Sequence, residues 1–171
     1  MKIKLLFALL LFVSALNAQE QRDIVVKKSL LLMGTAFEIS VVAPTEAIGY
    51  INIDEAASEI KRIEALISSW DPNSETSQIN NNAGIQPVKV SKELFGLIER
   101  SMRISEITDG AFDISYASVD TIWKYDGSMS QLPSDRVIKN SVNRIGYQKI
   151  QLNPEERTVF LTEPGMKIGF G

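Results

Sequence analysis

The stretch Thr108–Ile114 constrains the fold most, because it places a glycine between an apolar-periodic run and a short β-prone run. Gly110 can adopt a positive φ, which ends a helix and turns the chain. Ala111 and Phe112 follow it, with an aspartate on either side. Two interpretations are open. Either the small residues let backbone N–H groups approach a ligand beside an aromatic wall, or the aspartates brace the turn and Phe112 belongs to the core.

The chain of 171 residues contains neither cysteine nor histidine. Disulfides, thiolate nucleophiles, cysteine zinc sites and imidazole bases are therefore excluded. A bound metal would need oxygen ligands, which favours Mg²⁺ or Ca²⁺, and proton transfer would need Asp, Glu, Lys or Tyr. The apolar share of 44% suits one globular domain, and the net charge of −3 gives no indication of a nucleic-acid surface.

Residues 1–18 are predicted to be a secretory signal peptide, which leaves residues 19–171 as one domain. Lys2 and Lys4 form a basic start, and the uncharged run Leu5–Leu16 is too short to span a bilayer comfortably. Ala18 supplies a small residue before a cleavage point at Gln19. The alternative is an uncleaved membrane anchor.

Alternating and β-branched residues predict strands, with turn residues between them. A hairpin or bulge is predicted where Met33-Gly34 interrupts two β-prone runs, and a second hairpin where Asn153-Pro154 separates two others. The remaining extended segments are predicted at Pro87–Val90, Ile114–Tyr116 and from Met166 onwards.

Apolar spacing predicts three helices. The first spans Asp54–Ser69 with Asn52 or Asp54 as its cap, the second runs from a Ser91 cap to Asp109, and the third begins near Ser134. A polar, turn-rich loop is predicted over Asp71–Asn80.

Several residues of these segments have both a structural and a ligand-binding interpretation. Trp70 could stack on a ring or belong to the core, and Met33 could fill the core or pack on a flat apolar ligand. Ser74, Ser77 and Asn80 could bind a phosphate, although capping a following turn is the commoner role.

The order of these pieces resembles the ApbE family, the FAD:protein FMN transferases. The resemblance covers nearly all of the mature chain. It is carried by Met33-Gly34-Thr35-Ala36-Phe37, Trp70 to Asn80, Thr108 to Ile114, Trp123, Pro133, Ile145-Gly146-Tyr147 and Met166 to Gly171.

The resemblance implies an α+β fold, with a mixed or antiparallel sheet and packed helices, that is ApbE-like (T-fold-like) and incomplete. It also implies an enzyme that binds FAD and Mg²⁺ and transfers FMN from FAD to a Thr or Ser hydroxyl of a partner protein. That partner would be a flavin-carrying subunit of a membrane redox complex, in the periplasm or at the outer face of the cytoplasmic membrane. The alternatives are FAD hydrolysis to FMN and AMP, or FAD binding without transfer.

Carried over position by position, the resemblance implies flavin contacts at Met33, Trp70, Ala111, Phe112 and Asp113. Asn80 would lie near the pyrophosphate. Metal ligands and the base are expected beyond Gly171, so no catalytic residue is assigned within 1–171. We expect the chain to be an N-terminal fragment that is inactive alone. Gly169 stands where many family members have an acidic ligand contact.

Overall fold

The computed structural model describes residues 22–120, 122–123 and 127–170, and the predicted signal peptide lies outside them. The chain divides into two compact units, Met1–Glu59 and Ile60–Gly171. Among the described residues, no helix has both the length and the apolar character needed to cross a membrane.

The first unit contains a β-hairpin of two strands, β1 (Ile24–Leu32) and β2 (Thr35–Ala43). They pair antiparallel from Leu32 opposite Thr35 to Ile24 opposite Ala43. The two turn residues both have positive φ, 50° at Met33 and 71° at Gly34. This is the two-residue turn whose twist matches that of the flanking strands. The predicted hairpin at Met33-Gly34 is therefore confirmed.

The helix α1 (Glu46–Ile67) begins eight positions before its predicted start at Asp54. Its cap is Thr45, whose Oγ1 accepts a hydrogen bond from the Ile48 N–H at 3.3 Å. Asn52 and Asp54 lie inside the helix, so the prediction that either of them caps it is wrong. The missed signal was a threonine followed by an acidic residue, which is a typical helix start.

Within the first unit, a glycine sets the packing of α1 on β1. A Cβ built on Gly49 would lie 2.6 Å from the Cβ of Val26, which is closer than real carbon atoms approach. The buried apolar residues of this unit are Val26, Leu32, Ala43, Ile53 and Ala57. Glycine at position 49 thus allows the helix backbone to lie directly against the hairpin.

The second unit combines helices with a three-stranded sheet. Its strands are β3 (Val88–Lys89), β4 (Ile150–Asn153) and β5 (Thr158–Leu161), ordered β3-β5-β4 with antiparallel pairing throughout. The predicted second hairpin is confirmed by the pairing of β4 with β5. The helices are α2 (Glu75–Asn81), α3 (Lys92–Ile107), α4 (Ala117–Asp120) and α5 (Asp135–Val142), with 3₁₀ turns at Ile114–Tyr116 and Tyr147–Lys149.

Two helical turns of this unit lie where the sequence predicted a loop and an extended segment. The stretch predicted as a loop over 71–80 contains α2, and Ile114–Tyr116 is a 3₁₀ turn rather than an extended segment. In both places a side chain just before the turn accepts a backbone N–H: Ser74 Oγ from Ser77 at 3.0 Å, and Asp113 Oδ1 from Ser115 at 2.8 Å. Such caps favour helical turns in segments whose composition suggests a loop.

The helix α3 begins after the predicted Ser91 cap and ends at Ile107, two residues before the predicted end at Asp109. Ser91 Oγ accepts the Leu94 N–H at 3.2 Å, and the backbone turns left-handed beyond the helix, with φ of 51° at Asp109 and 79° at Gly110. The Gly110 N–H donates to the Ser105 carbonyl at 2.8 Å, which satisfies one of the last carbonyls of the helix.

The core of the second unit gathers residues from α2, α3 and the sheet together with the segment after β5. Its buried members are Ile79, Ala83, Val90, Leu94, Phe95, Ile98, Ile114, Ile150, Val159, Leu161, Met166 and Ile168. The predicted α+β class with antiparallel sheet and packed helices is confirmed.

Two glycines of this unit differ in the space that a side chain would have. A Cβ at Gly84, where φ is 73°, would lie 2.7 Å from the backbone nitrogen of Pro164. A Cβ at Gly96, inside α3, would meet nothing within 4 Å. Glycine inside a helix costs about 0.5–1 kcal/mol relative to alanine, and packing among the described residues gives no reason for glycine at position 96.

We therefore expect alanine at these two positions to act in opposite directions. Gly84→Ala should lower the free energy of unfolding by about 2–4 kcal/mol through backbone strain and a clash with backbone atoms. Gly96→Ala should raise it by about 0.5–1 kcal/mol. Urea unfolding followed by circular dichroism measures both, and equal changes in the two variants would contradict this account.

Candidate functional site

The loop between α1 and α2 holds Trp70 outside the core. The Ser68 Oγ accepts the N–H groups of Trp70 at 3.2 Å and Asp71 at 3.1 Å, and the Asp71 side chain accepts the Asn73 N–H at 2.9 Å. These bonds fix the backbone on both sides of the indole. The Trp70 side chain itself is 78% exposed, so the interpretation of Trp70 as a core residue is wrong.

The hydroxyls that follow Trp70 satisfy backbone carbonyls at the end of α1. Thr76 Oγ1 donates to the Leu66 carbonyl at 2.9 Å, Ser77 Oγ donates to the Ser68 carbonyl at 3.3 Å, and Ser74 Oγ donates to the same carbonyl. All three hydroxyl residues are buried. Since the last carbonyls of a helix have no partner within it, these hydroxyls have a structural role. Ser74 also caps the following helix, as predicted, whereas the Ser77 hydroxyl bonds only the preceding one.

The Asn80 side chain forms the two backbone hydrogen bonds to the segment after β5 that a neighbouring strand would form. Its Nδ2 donates to the Ile168 carbonyl at 3.0 Å, and its Oδ1 accepts the Ile168 N–H at 2.8 Å. One amide thus satisfies both backbone groups of a buried residue. A strand beginning at Met166 was predicted, but residues 166–170 form no strand. Side chains take the place of a strand partner there.

The opposite edge of this segment is also occupied. The Ser118 Oγ accepts the Lys167 N–H at 2.9 Å and lies 3.1 Å from the Lys167 carbonyl, to which it donates. The Gly169 N–H donates to the Ile114 carbonyl at 2.9 Å. The segment is therefore joined to the 3₁₀ turn at Ile114–Tyr116 and to α4 on one side, and to Asn80 on the other.

Asp113 joins the stretch around Phe112 to the segment before β4. Its Oδ1 accepts the Ser115 N–H at 2.8 Å and the Ser115 hydroxyl at 2.6 Å, and its Oδ2 accepts the Tyr147 N–H at 2.8 Å. Ser115 Oγ in turn accepts the Gly146 N–H at 2.8 Å. Of the two interpretations of this stretch, the structure supports the one in which the carboxylate braces the turn.

The backbone N–H groups beside Gly110 are already bonded within the loop. The Ala111 N–H donates to the Thr108 carbonyl at 3.0 Å, and the Phe112 N–H donates to the Thr108 hydroxyl at 3.1 Å. The loop thus offers side chains rather than backbone donors to a ligand. Ala111 is exposed and the Phe112 ring is 43% exposed, so Phe112 is not a core residue.

Residues that precede Trp70 and residues that follow Phe112 come together at Gly169. A Cβ built on Gly169 would lie 3.0 Å from the Cβ of Ala117, 3.8 Å from the Tyr116 hydroxyl and 3.9 Å from the Ser69 hydroxyl. Ser69 directly precedes Trp70. Glycine permits this close approach, and an acidic side chain at position 169 would have to displace Ala117.

Sequence reasoning missed two residues of this site, Ser69 and Tyr116. Tyr116 is 44% exposed and belongs to the 3₁₀ turn that had been predicted as extended. The Asp113 cap was the signal that could have revealed the turn.

The other predicted flavin contact, Met33, lies in the first unit. It occupies the tip of the β1–β2 hairpin, and its side chain is 41% exposed. The flavin contact assigned to Met33 stays a prediction.

Within the described residues, no group of three or more Asp or Glu side chains is arranged to hold a metal ion.

Fold and surface together define an α+β protein with rigidly held loops that expose two aromatic side chains. A family model described as the ApbE family matches residues 33–171, and the chain belongs to that family. A protein of Klebsiella pneumoniae named FAD:protein FMN transferase is 27% identical over 143 residues, which are 84% of this chain and 44% of that protein. The chain spans less than half the length of the curated relatives it matches.

Solved structures share the fold. The ApbE protein of Thermotoga maritima matches with a TM-score of 0.72 and 26% identity over 86% of this chain and 47% of that one. The flavin transferase ApbE from Vibrio cholerae matches with a TM-score of 0.70 and 19% identity, over 86% of this chain and 48% of that one. The predicted family resemblance is confirmed.

Removal of the Asn80 amide should release the segment after β5. Asn80→Ala leaves the buried N–H and carbonyl of Ile168 without partners, which should cost about 2–4 kcal/mol of unfolding free energy. Hydrogen exchange of the Ile168 amide should accelerate in the same variant. Asn81→Ala, at an exposed neighbouring position, is the control. Unchanged protection of Ile168 in Asn80→Ala would refute the assigned role.

Loss of the Asp113 carboxylate should loosen both segments that it joins. Asp113→Ala leaves the N–H groups of Ser115 and Tyr147 without their acceptor, and should lower the unfolding free energy by about 1.5–3 kcal/mol. Asp113→Asn should lower it as well, because an amide cannot accept bonds through both of its heavy atoms. Glu106→Ala, at an exposed position of α3, should change it little. Chemical denaturation of the three variants tests the ranking.

Proposed function

We propose that this protein acts in the transfer of FMN from FAD to a Thr or Ser hydroxyl of a partner flavoprotein. The observation that carries the proposal is the pair of exposed aromatic side chains, Trp70 and Phe112, on braced loops whose segments meet at Gly169. Membership of the ApbE family and relatives named FAD:protein FMN transferase support it.

The site residues suit a flat aromatic ring. Trp70 and Phe112 offer faces on which an isoalloxazine can stack, and Ala111 beside Phe112 leaves room for it. Met33 would add a polarizable thioether. Asp113 would act mainly as a positioning residue, because its oxygens already hold the backbone that carries Phe112.

In the proposed reaction the acceptor hydroxyl oxygen bonds to the phosphorus of the FMN moiety. The pyrophosphate P–O bond breaks, AMP leaves, and the hydroxyl proton passes to a base. Such transfers depend on positioning and charge stabilisation more than on a protein nucleophile. A requirement for Mg²⁺ belongs to the proposal because phosphate oxygens prefer a hard cation. No step of the reaction is assigned to the described carboxylates.

The partner and the location are part of the same proposal. We propose that residues 1–18 direct export, that 19–171 work in the periplasm or at the outer face of the cytoplasmic membrane, and that the acceptor is a flavin-carrying subunit of a membrane redox complex. Cell fractionation and N-terminal sequencing of the exported form test the location. An N-terminus retained at Met1 would contradict cleavage.

Because the chain is expected to be inactive alone, the test of the activity is incubation of the full-length protein that contains it with FAD, Mg²⁺ and an exported flavoprotein acceptor. Fluorescent flavin that stays with the acceptor in a denaturing gel, together with released AMP, is the expected result. Release of FMN and AMP without acceptor labelling would instead indicate FAD hydrolysis. Tight FAD binding without either product would indicate a flavin-binding protein.

Truncation of either aromatic side chain should weaken FAD binding without unfolding the chain. Because each ring is exposed, Trp70→Ala and Phe112→Ala should keep the melting temperature, while the loss of stacking raises the Kd by about 3- to 10-fold each. Leu132→Ala, which removes a side chain that is also 78% exposed, is the matched control. Calorimetric titration with FAD gives the affinities, and equal values for all three variants would remove the site assignment.

A further inference from the structure

A cleft of about 1110 Å³ lies in the second unit, between the last turns of α1 and the helix α3. None of its lining residues belongs to the aromatic site. Its apolar lining consists of Ile63, Leu66, Ile67, Leu94 and Leu97. The cleft between two helices with an apolar floor is the form of surface that accepts a third helix.

One row of residues along α3 makes one side of this cleft basic. Lys92, Gly96, Arg100 and Arg103 all line it and are separated by four, four and three positions. This spacing places them in one row along the helix. The row thus presents cations on both sides of a position that has no side chain.

The charge of the cleft is opposite to that of the chain. Its two acidic residues are Glu93 and Glu99, and Glu93 is held by both guanidinium nitrogens of Arg62, at 2.7 and 2.9 Å. Within the part of the chain that the structure describes, Arg100 and Arg103 form no ion pair. Two unneutralised guanidinium groups in a chain of net charge −3 favour an acidic partner.

Gly96 is a second observation, independent of the charges, that points to a bound helix. It sits inside a helix, where glycine is unfavourable, and a Cβ there would meet nothing within 4 Å. The chain therefore carries an open stretch of helix backbone at the middle of the cleft. A missing side chain lets another backbone approach closely, as at contacts between tightly packed helices.

We propose that this cleft binds an amphipathic helix of a partner protein, with apolar side chains on the floor and carboxylates on Arg100 and Arg103. From Lys92 to Arg103 the row is about 17 Å long, which matches roughly three turns of a bound helix. The closest approach of the two helices is at Gly96. The proposal concerns a surface separate from the flavin site and does not depend on the proposed reaction.

The probe is a synthetic, fluorescein-labelled helical peptide of about 18 residues with a leucine stripe flanked by glutamates. A second peptide has lysine in place of every glutamate. Fluorescence anisotropy with the full chain should give at least about tenfold tighter binding of the acidic peptide, and this preference should shrink as salt is added.

Three variants test the assigned residues. The double change Arg100→Glu with Arg103→Glu should reverse the preference, so that the lysine peptide binds more tightly. Arg136→Glu, an exposed charge reversal on α5, should leave the preference unchanged. Gly96→Ala should weaken the acidic peptide about 3- to 10-fold while raising the melting temperature by about 2–4 °C. Loss of binding in this variant therefore cannot be attributed to unfolding.

Three results would overturn the proposal. The first is equal binding of the two peptides, or no binding of either. The second is an unchanged preference in the double charge reversal. The third is a dimer of the chain in analytical ultracentrifugation that Gly96→Leu converts to a monomer, because the cleft would then hold a second copy. Anionic vesicles serve as a further arm: vesicle binding that the double charge reversal abolishes, in a chain that does not bind the acidic peptide, would assign the cleft to lipid.

Discussion

The bond between the Asn80 amide and the backbone of Ile168 is the interaction on which the second unit most depends. Residues 166–170 carry buried Met166 and Ile168 into the core but form no strand, so their backbone groups need other partners. Asn80 satisfies one edge and Ser118 the other. Within the described residues, no buried side-chain nitrogen or oxygen lacks a hydrogen-bond partner. Polar side chains thus supply the hydrogen bonds that neighbouring strands supply in a sheet. They also hold Gly169, where the loops of the candidate site meet.

The polar residues that carry the family resemblance mostly hold the scaffold, and the exposed aromatic residues are left for a ligand. Ser74 and Ser77 close the end of α1, and Asp113 joins two loops. Trp70 and Phe112 make no comparable contribution to burial. A motif therefore contains two kinds of residue, and substitution separates them: loss of a scaffold residue changes stability first, whereas loss of an exposed ring changes affinity first.

Local signals predicted the local elements. The hairpin at Met33-Gly34, the capped helix from Ser91 and the β4–β5 hairpin each follow from residues adjacent in sequence, and each is present. Three errors come from helical turns that were missed at local caps, Thr45, Ser74 and Asp113. The error at 166–168 arises because distant partners decide the structure there. The backbone of 166–168 has strand-like composition, but its hydrogen bonds go to Asn80, 88 positions earlier, and to Ser118. The site was predictable only in part. The aromatic residues could be identified from the sequence, but the approach of Ser69 and Tyr116 to Gly169 could be seen only in the folded chain.

Contacts among the described residues explain one glycine, Gly169, but not another, Gly96. Gly169 is explained internally, because Ala117 would lie 3.0 Å from any Cβ placed there. Gly96 has no such neighbour and has a helical backbone that alanine would favour. A glycine that relieves no clash with the described residues leaves the helix backbone open to a contact from outside the chain. Lys92 and Arg100 lie one turn before and one turn after Gly96. Their charges favour an acidic partner that is narrow enough to reach the backbone between them.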